Sequence, residues 1–498
     1  MTSPSLSAPT PTISHPGPKL VLAAVVALIG DRLFYVHALG ISLVVFLAAI
    51  AAAALVAVGS RLHWLRYAVA LILLIAGLAP LVESVSLLSL GFGVVGLALS
   101  VAILTGSLEG GVARTVKAAA GIVLAGPFNL PADLYDVARR TIESRRAPRA
   151  AVLIGWLIPL ALCAVFAALF ATANPVLVGW VVDMPWSVLI PRLDLPRTLL
   201  WLCLLAVVWA FVAPRGSGRL DVAGAALTQS PSADVAPVLS GVLDSTVVLR
   251  CFVLFNLLFA VQSATDVAYL WIGFALPPGV THAAYAHRGA YPLIATALLA
   301  AAFVLIALRP GGVGERSSAI RILVCLWIGQ NVLLVTSAML RLDLYVEAYG
   351  LSLLRLAALI WMALVGVGLA LILARIILRR GNGWLVGANA LALATTLYAC
   401  AFVNFPGTVA DFNAAHRLDA GQAFDLPYAA SLGAAAIPAI DRVLADGDGP
   451  LTVDARQWRW RLAATLRQRM GDWRAWTFRD QRLLNYLAAH PDAPVPAR

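Results

Sequence analysis

Long, uninterrupted runs of apolar residues recur along this chain, and they decide what it can fold into. A helix needs about 20 apolar residues to cross a hydrocarbon core of about 30 Å. On that criterion the sequence predicts an all-α, polytopic transmembrane helix bundle of about 11 spans. The spans are predicted at residues 20–37, 39–58, 64–81, 84–105, 150–172, 197–213, 247–273, 291–308, 321–340, 350–374 and 384–403, with a tight hairpin at 80–86.

The composition agrees with a lipid-embedded chain and excludes an ordinary soluble protein. Hydrophobic residues make up 61% of the sequence and charged residues only 12%, whereas soluble domains carry about 25% charged residues. The net charge is +11, but the basic residues lie in short segments between apolar runs and not on one coherent face. We therefore expect the lipid bilayer as the partner and no binding of nucleic acid.

The positions of the basic residues predict the orientation in the membrane. If the N-terminus is cytoplasmic, 19 Lys and Arg residues fall on the inner side and six on the outer side, counted up to residue 403. The positive-inside rule favours this arrangement. It predicts a disordered cytoplasmic tail at 1–18, a first helix retained as a span and not cleaved as a signal peptide, a membrane bundle over 19–403 with cytoplasmic segments at 106–149 and 214–246, and an extracytoplasmic C-terminus in a bacterial inner membrane.

Residues 404–498 differ in composition from the bundle and predict a small, mainly helical extracytoplasmic domain. This region holds 11 arginines and 10 aspartates but no lysine or glutamate. Within it, residues 456–489 carry four tryptophans among arginines. Three interpretations stay open for that stretch: a packed helical pair, aromatic anchoring at the membrane surface, or ligand stacking on the tryptophan faces.

Ionisable residues inside or at the rim of the membrane are the candidates for function. Each costs about 2.5–3.5 kcal/mol to insert at a helix centre, so such residues tend to be paired or functional. In the predicted topology they gather on the outer side. They are Asp31, Glu83, Asp266, Arg341, Asp343 and Glu347.

The densest polar segment is 255–298. Gln262, Asp266 and Tyr269 are spaced i, i+4, i+7 and share one face of the predicted seventh helix. A short loop follows, and it carries His282, Tyr285, His287 and Arg288. This face could line a polar site, or Asp266 could simply pair with Arg288, His287 or Arg341 and tie two helices together.

Metal and cofactor chemistry is not indicated by these residues. The spacing of His282 and His287 is not a recognised ligand motif, and the five cysteines fall inside apolar runs without a paired spacing. No phosphate-binding loop, HExxH or GxSxG pattern occurs in the sequence. We therefore predict no metal and no cofactor.

The segment around Asp266 resembles an uncharacterised family of bacterial inner-membrane proteins, domain of unknown function 4173, with 4153 as a close relative. The resemblance covers most of the chain from about 20 to 485 and implies membrane location but no reaction. Ile272-Gly273 and His282 depart from the family pattern. The resemblance is carried by Asp31-Arg-Leu-Phe-Tyr, Ala173-Asn-Pro, Asn256-Leu-Leu-Phe, Gln262, Asp266-Val-Ala-Tyr-Leu-Trp, Leu276-Pro-Pro-Gly-Val-Thr, Tyr285-Ala-His-Arg-Gly-Ala-Tyr-Pro-Leu and Asp425-Leu-Pro-Tyr.

Three functional hypotheses follow. The leading one is a non-enzymatic membrane protein, either transporter-like or a scaffold, whose polar site opens to the extracytoplasmic side. The second is a membrane transferase that acts on a lipid-linked substrate at the outer leaflet, although the first outer loop is too short for a large catalytic loop. The third is an envelope assembly or signalling partner that acts through residues 404–498.

Overall fold

The computed structural model describes residues 16–58, 64–133, 194–214, 245–272, 318–420, 424–445 and 452–491. Every regular element within these ranges is helical. The chain divides into two compact units. The first comprises Met1–Leu227 with Gln468–Leu484, and the second comprises Thr228–Arg467 with Asn485–Arg498.

The first unit contains six of the helices described, together with the beginning of the last helix of the chain. Their bounds are α1 Pro16–Phe34, α2 Ile41–Val58, α3 Trp64–Glu83, α4 Leu87–Leu104, α5 Gly111–Ala125 and α6 Leu195–Val212. The segment Gln468–Leu484 adds a short turn, Trp473–Ala475, to this unit.

The second unit begins with α7 Ser245–Asp266, which continues into a π-helical turn at Val267–Trp271. The next three helices are long and apolar: α8 Ser318–Tyr349, α9 Leu353–Ile377 and α10 Asn382–Phe402. Shorter helices follow, α11 Phe405–Ala420, α12 Leu426–Ser431, α13 Ile437–Ala445, α14 Thr452–Met470 and α15 Phe478–Ala489. The last residues of α14, from Gln468, and the first residues of α15, up to Leu484, belong to the first unit.

Seven of the described helices are long and apolar enough to cross a membrane: α2, α3, α4, α7 from Leu249 onward, α8, α9 and α10. Helices also occupy the predicted runs 20–37 and 197–213. However, α1 carries three charged residues, and the apolar part of α6, Pro196–Val212, is shorter than 18 residues. The predicted spans 150–172 and 291–308 lie outside the described residues. The described residues are therefore consistent with a helical membrane bundle and include seven candidate spans.

Two predicted boundaries differ from the structure. The hairpin placed at 80–86 begins later, because α3 continues past Pro80 to Glu83 and the turn occupies only 84–86. Ser86 then caps α4: its hydroxyl accepts the Ser89 N–H at 3.1 Å, and the Ser89 hydroxyl accepts the Ser86 N–H at 2.8 Å. This reciprocal pair is a strong helix start.

Helix α8 ends at Tyr349 and not near residue 340. It has 32 residues, about 48 Å at a rise of about 1.5 Å per residue. That length exceeds the hydrocarbon thickness, so one or both ends of the helix project beyond the apolar layer. Charged residues are compatible with helix in the projecting part, because water or polar headgroups solvate them.

Helices α3 and α4 approach each other closely at a pair of glycines. A Cβ atom on Gly77 would lie 2.8 Å from the Cα of Gly96, and a Cβ on Gly96 would lie 2.8 Å from the Cα of Gly77. Gly93 is also crowded, by the side chains of Leu81 and Leu47, whereas a Cβ on Gly91 would meet nothing within 4 Å. Small residues of this kind let membrane helices pack backbone to backbone.

In the second unit, Trp327 of α8 packs against three phenylalanines of α7. The ring centroids of Phe252, Phe255 and Phe259 lie 5.7, 5.6 and 5.6 Å from that of Trp327. The spacing i, i+3, i+7 places these rings on one face of α7. Asn256, beside them, donates to the Phe252 carbonyl at 2.7 Å and to the Leu323 carbonyl of α8 at 3.1 Å.

The C-terminal helices of the second unit enclose a small core of their own, which includes Ala410, Ala414, Ile440 and Ala455. Trp458 packs against this core, whereas Trp460 is 53% exposed.

Arg459 is buried in this region, and its Nη2 donates to an Asp441 carboxylate oxygen at 3.2 Å and to the His490 carbonyl at 2.7 Å. Tyr486 donates to Asp441 at 3.1 Å, and burial, followed by the nearby Asp441 charge, raises the pKa of this phenol to about 12. Arg459 therefore faces inward and not toward solvent, whereas Trp460 and Trp473 of the same 456–489 stretch are more than half exposed.

The glycine contact predicts opposite effects for two matched substitutions on α4. G96A should destabilise the protein by about 1–3 kcal/mol, because a new Cβ would overlap the backbone of α3. G91A should be neutral or about 0.5–1 kcal/mol stabilising, because alanine is the better helix former and has open space there. Thermal unfolding of the full chain in detergent measures both, and equal effects of the two variants would contradict the close approach.

Candidate functional site

The centre of the predicted polar site is a buried ion pair between α7 and α8. Asp266 is fully buried, and Arg341 is only 6% exposed. One Asp266 carboxylate oxygen, Oδ1, accepts from the Arg341 guanidinium and from the Gln262 amide at 3.0 Å. Arg341 is one of the three partners expected for Asp266 from the sequence. Arg341 and Gln262 both donate to the same oxygen of Asp266.

The π-helical turn that follows Asp266 widens α7 at this point. Trp271, at the end of the turn, donates from its indole nitrogen to the Ser337 hydroxyl of α8 at 3.3 Å. Turns of this type are rare and occur frequently at functional sites. The backbone of Tyr269 belongs to the turn, while its side chain lies outside the described part of the structure. His282, Tyr285, His287 and Arg288 also lie outside the described residues.

The predicted grouping of Arg341 with Asp343 and Glu347 does not form on one face of α8. Arg341 is buried, whereas Asp343 and Glu347 are exposed on the same helix. Residues two apart on a helix point in different directions, so Asp343 cannot share the inward face of Arg341. The Glu347 backbone carbonyl instead contacts a ring nitrogen of His416 at 2.9 Å.

In the first unit, Asp31 is buried and paired with Arg197 of α6. The guanidinium donates two hydrogen bonds to the carboxylate, at 2.9 Å from Nε and 2.6 Å from Nη2. The same guanidinium lies over the ring of Tyr35, 5.0 Å from its centroid. The Tyr35 hydroxyl donates to Asp194, which caps α6. A two-pronged pair of this kind fixes both partners in position.

Glu83, at the end of α3, is bound by two arginines of the C-terminal helix α15. Arg479 donates to a Glu83 carboxylate oxygen at 3.1 Å, and Arg482 donates to the same oxygen. The arginines are three residues apart and therefore share one face of α15. Glu83 is 7% exposed, so this contact removes a carboxylate from solvent and supplies its countercharge.

Further contacts hold the preceding turn of the C-terminal segment against the ends of α1 and α2. The Ile41 N–H donates to the Trp476 carbonyl at 2.8 Å, and Arg474 donates to the Arg32 carbonyl at 3.1 Å. At Gly40, a Cβ would lie 2.3 Å from the carbonyl carbon of Ala475, so only glycine allows the approach.

Asp472 anchors the same turn. It accepts the Arg474 N–H at 3.0 Å and lies 2.9 Å from a ring nitrogen of His37. The donated N–H, more than any other contact, lowers the pKa of the Asp472 carboxyl below its usual value, and the Arg474 guanidinium and His37 add to the effect.

Each of the three buried carboxylates therefore has an arginine partner within its own unit. Asp31 and Glu83 belong to the first unit, and Gln262, Asp266 and Arg341 belong to the second. Sequence reasoning missed Arg197, Arg479 and Arg482 as partners. The spacing of three between Arg479 and Arg482 was the one local signal for a shared acceptor. Among the residues the structure describes, no group of three His, Cys, Asp or Glu side chains could hold a metal ion.

Helices of this length and apolarity, tied by a fully buried ion pair, define an integral helical membrane protein. Its sequence matches the model of a family described as Domain of unknown function (DUF4153) over residues 20–443, and the chain belongs to that family. The matched family is the relative, 4153, and the resemblance to 4173 itself stays an expectation from the sequence. Neither a curated protein nor a solved structure matches the chain.

A double-mutant cycle tests whether Asp266 and Arg341 depend on each other. D266L and R341M should each destabilise the protein by about 3–5 kcal/mol, because each leaves one buried charge without its partner. The double variant D266L/R341M should recover most of that loss, since an apolar pair of similar volume suits the same interface. Unfolding in detergent measures the four proteins, with R380M at an exposed position as the control. Additive losses would contradict a direct coupling.

Proposed function

We propose that this protein is a non-catalytic scaffold of the bacterial inner membrane that presents its C-terminal helical region, residues 404–498, to an extracytoplasmic partner. The observation that carries the proposal is the pairing of Asp31, Glu83 and Asp266. Each of these carboxylates is buried and bound by at least one arginine. A catalytic or ion-coupling carboxylate must contact a substrate or exchange a proton. A buried ion pair with arginine hinders both, because the arginine already occupies the carboxylate.

The attachment of the C-terminal segment supports a presenting role. Glu83 with its two arginines, His37 with Asp472, and the Ile41–Trp476 backbone hydrogen bond hold residues 472–482 against helix ends of the first unit. Several polar contacts made together restrict the segment to one geometry, whereas a single exposed ion pair would contribute little.

The same contacts support an extracytoplasmic position for the segment. The α1–α2 connection at 35–40 and the α3–α4 turn at 84–86 lie at the same end of consecutive up-and-down helices, and the C-terminal segment contacts residues beside both. The excess of basic residues in the other connections favours an extracytoplasmic position for this end.

A transporter is the second candidate, and the π-helical turn favours it. The turn begins directly after Asp266, whose carboxylate also accepts from Gln262. A widened turn beside a buried ion pair could rearrange if a substrate replaced Arg341 as the partner of Asp266. In this version the loop with His282, Tyr285, His287 and Arg288 would contact a polar substrate.

Proton flux separates the two candidates. We expect proteoliposomes that contain the full chain, loaded with a pH-sensitive dye and placed in a pH gradient, to leak no faster than protein-free liposomes. The variant D266L/R341M serves as the matched control, because it keeps the helix contact without its charges. Flux above the protein-free rate that disappears in D266L/R341M would contradict the scaffold proposal and support coupling through Asp266.

A positive test of the scaffold uses the exposed tryptophans. A photo-crosslinking amino acid in place of Trp460, which is 53% exposed in the C-terminal region, should give discrete protein adducts in cells that express the full chain. The same substitution at Trp361, 50% exposed on the span α9, should give none, because lipid surrounds it. Equal adducts at both positions, or none at Trp460, would contradict presentation through the tail.

A further inference from the structure

A pocket of about 240 Å³ lies in the second unit, where α8 ends, α9 begins and α11 and α12 pack alongside. Its lining is mixed, with aromatic walls and a small set of polar side chains. The polar side chains of the lining include Ser352, Arg355, His416, Asp425 and Tyr428.

The side chain of Arg355 brings a positive charge to the lining of this pocket. Its Nη1 donates to the Tyr349 carbonyl at 3.0 Å and also to the Gly350 carbonyl, and its guanidinium carbon lies 4.4 Å from the Tyr345 ring centroid. These contacts hold the guanidinium in place without neutralising it. Among the described residues no carboxylate lies within ion-pair distance of Arg355, in contrast to Arg197 and Arg341.

Two hydroxyl groups beside Arg355 have hydrogens to donate. The Tyr428 oxygen accepts the Leu353 N–H at 3.0 Å, and the Ser352 oxygen accepts the Arg355 N–H at 3.3 Å. Each hydroxyl therefore uses an acceptor position in the protein and keeps its O–H for another group. Ser352 also caps α9, so the positive end of the helix dipole adds to the Arg355 charge.

The remaining polar groups limit the charge of an occupant. His416 is engaged through Nε2 with the Glu347 carbonyl, and Asp425 caps α12 by accepting the Tyr428 N–H at 3.0 Å. The Asp425 carboxylate opposes a second negative charge in the pocket. A singly charged phosphodiester suits this balance better than a phosphate dianion does.

The pocket also lies at the N-terminal end of a candidate membrane span, where lipid phosphates are expected. Helix α9 is a candidate span that begins at Leu353, so Ser352 and Arg355 mark its entry into the membrane. Leu354 is 77% exposed and Trp361 is 50% exposed. They are seven residues apart and share one face of α9, along which an acyl chain could lie.

We propose that this pocket binds the phosphodiester headgroup of a membrane phospholipid. Arg355 carries the charge recognition, and the Ser352 and Tyr428 hydroxyls donate to the phosphate oxygens. The function proposed above does not require this site.

Native mass spectrometry of the full chain in detergent tests the proposal with defined ligands. Phosphatidylglycerol should be retained by the wild-type protein, and R355Q should weaken its retention by at least about tenfold, the loss expected for a charge-assisted hydrogen bond. R380Q, at an exposed arginine beyond the opposite end of α9, should leave retention unchanged. R355K keeps the charge but loses the forked geometry, so its retention of phosphatidylglycerol should lie between that of the wild-type protein and that of R355Q. If R355Q does not fold, R355K replaces it in the test.

Two further arms identify the source of the phosphate. Diacylglycerol with the same acyl chains should be retained weakly and equally by wild type and R355Q, and millimolar inorganic phosphate should not displace phosphatidylglycerol. Equal retention of both lipids by the wild-type protein would overturn headgroup recognition. Displacement by inorganic phosphate would show a soluble anion as the ligand and overturn the lipid assignment, as would equal losses in R355Q and R380Q.

Discussion

Asp266 and Arg341 lie on neighbouring membrane helices, and neither could remain buried there as a lone charge. An uncompensated charge buried between two helices costs several kcal/mol, so α7 and α8 must keep the register that joins these two side chains. The same register places Trp327 among three phenylalanines and brings Trp271 to Ser337. The ion pair therefore selects one arrangement out of the many that an apolar helix pair could adopt.

The first unit applies the same principle at the ends of its helices. Asp31 is held by Arg197, and Glu83 is held by two arginines from the C-terminal segment. Asp31, Glu83 and Asp266 thus each have an arginine countercharge within their own unit. The contrast with Arg355 is informative, because that arginine lines a pocket and has no carboxylate partner among the described residues. An arginine that is paired with a buried carboxylate has a structural role, whereas an arginine that lines a pocket without such a partner is a candidate ligand site.

Seven spans among the described residues could be predicted from sequence, because a fixed hydrocarbon thickness demands a fixed length of apolar helix. Their ends could not, since α8 continues to Tyr349 and α3 past Pro80, where polar residues are compatible with helix outside the apolar layer. The face shared by Gln262 and Asp266 followed from helical periodicity, but the choice of Arg341 as partner required knowing which helices are neighbours. The Glu83–Arg482 contact joins residues 399 positions apart, and no local pattern announces it.

The central claim is that Asp266 is a neutralised structural charge, and carbodiimide labelling tests it most directly. Hydrophobic carbodiimides react with membrane carboxyl groups that can take up a proton and are reachable. Peptide mass spectrometry of the labelled full chain should find Asp266 unmodified in the wild-type protein and modified in R341Q, where the partner has been removed. Modification of Asp266 in the wild-type protein to the same extent as in R341Q would contradict the account.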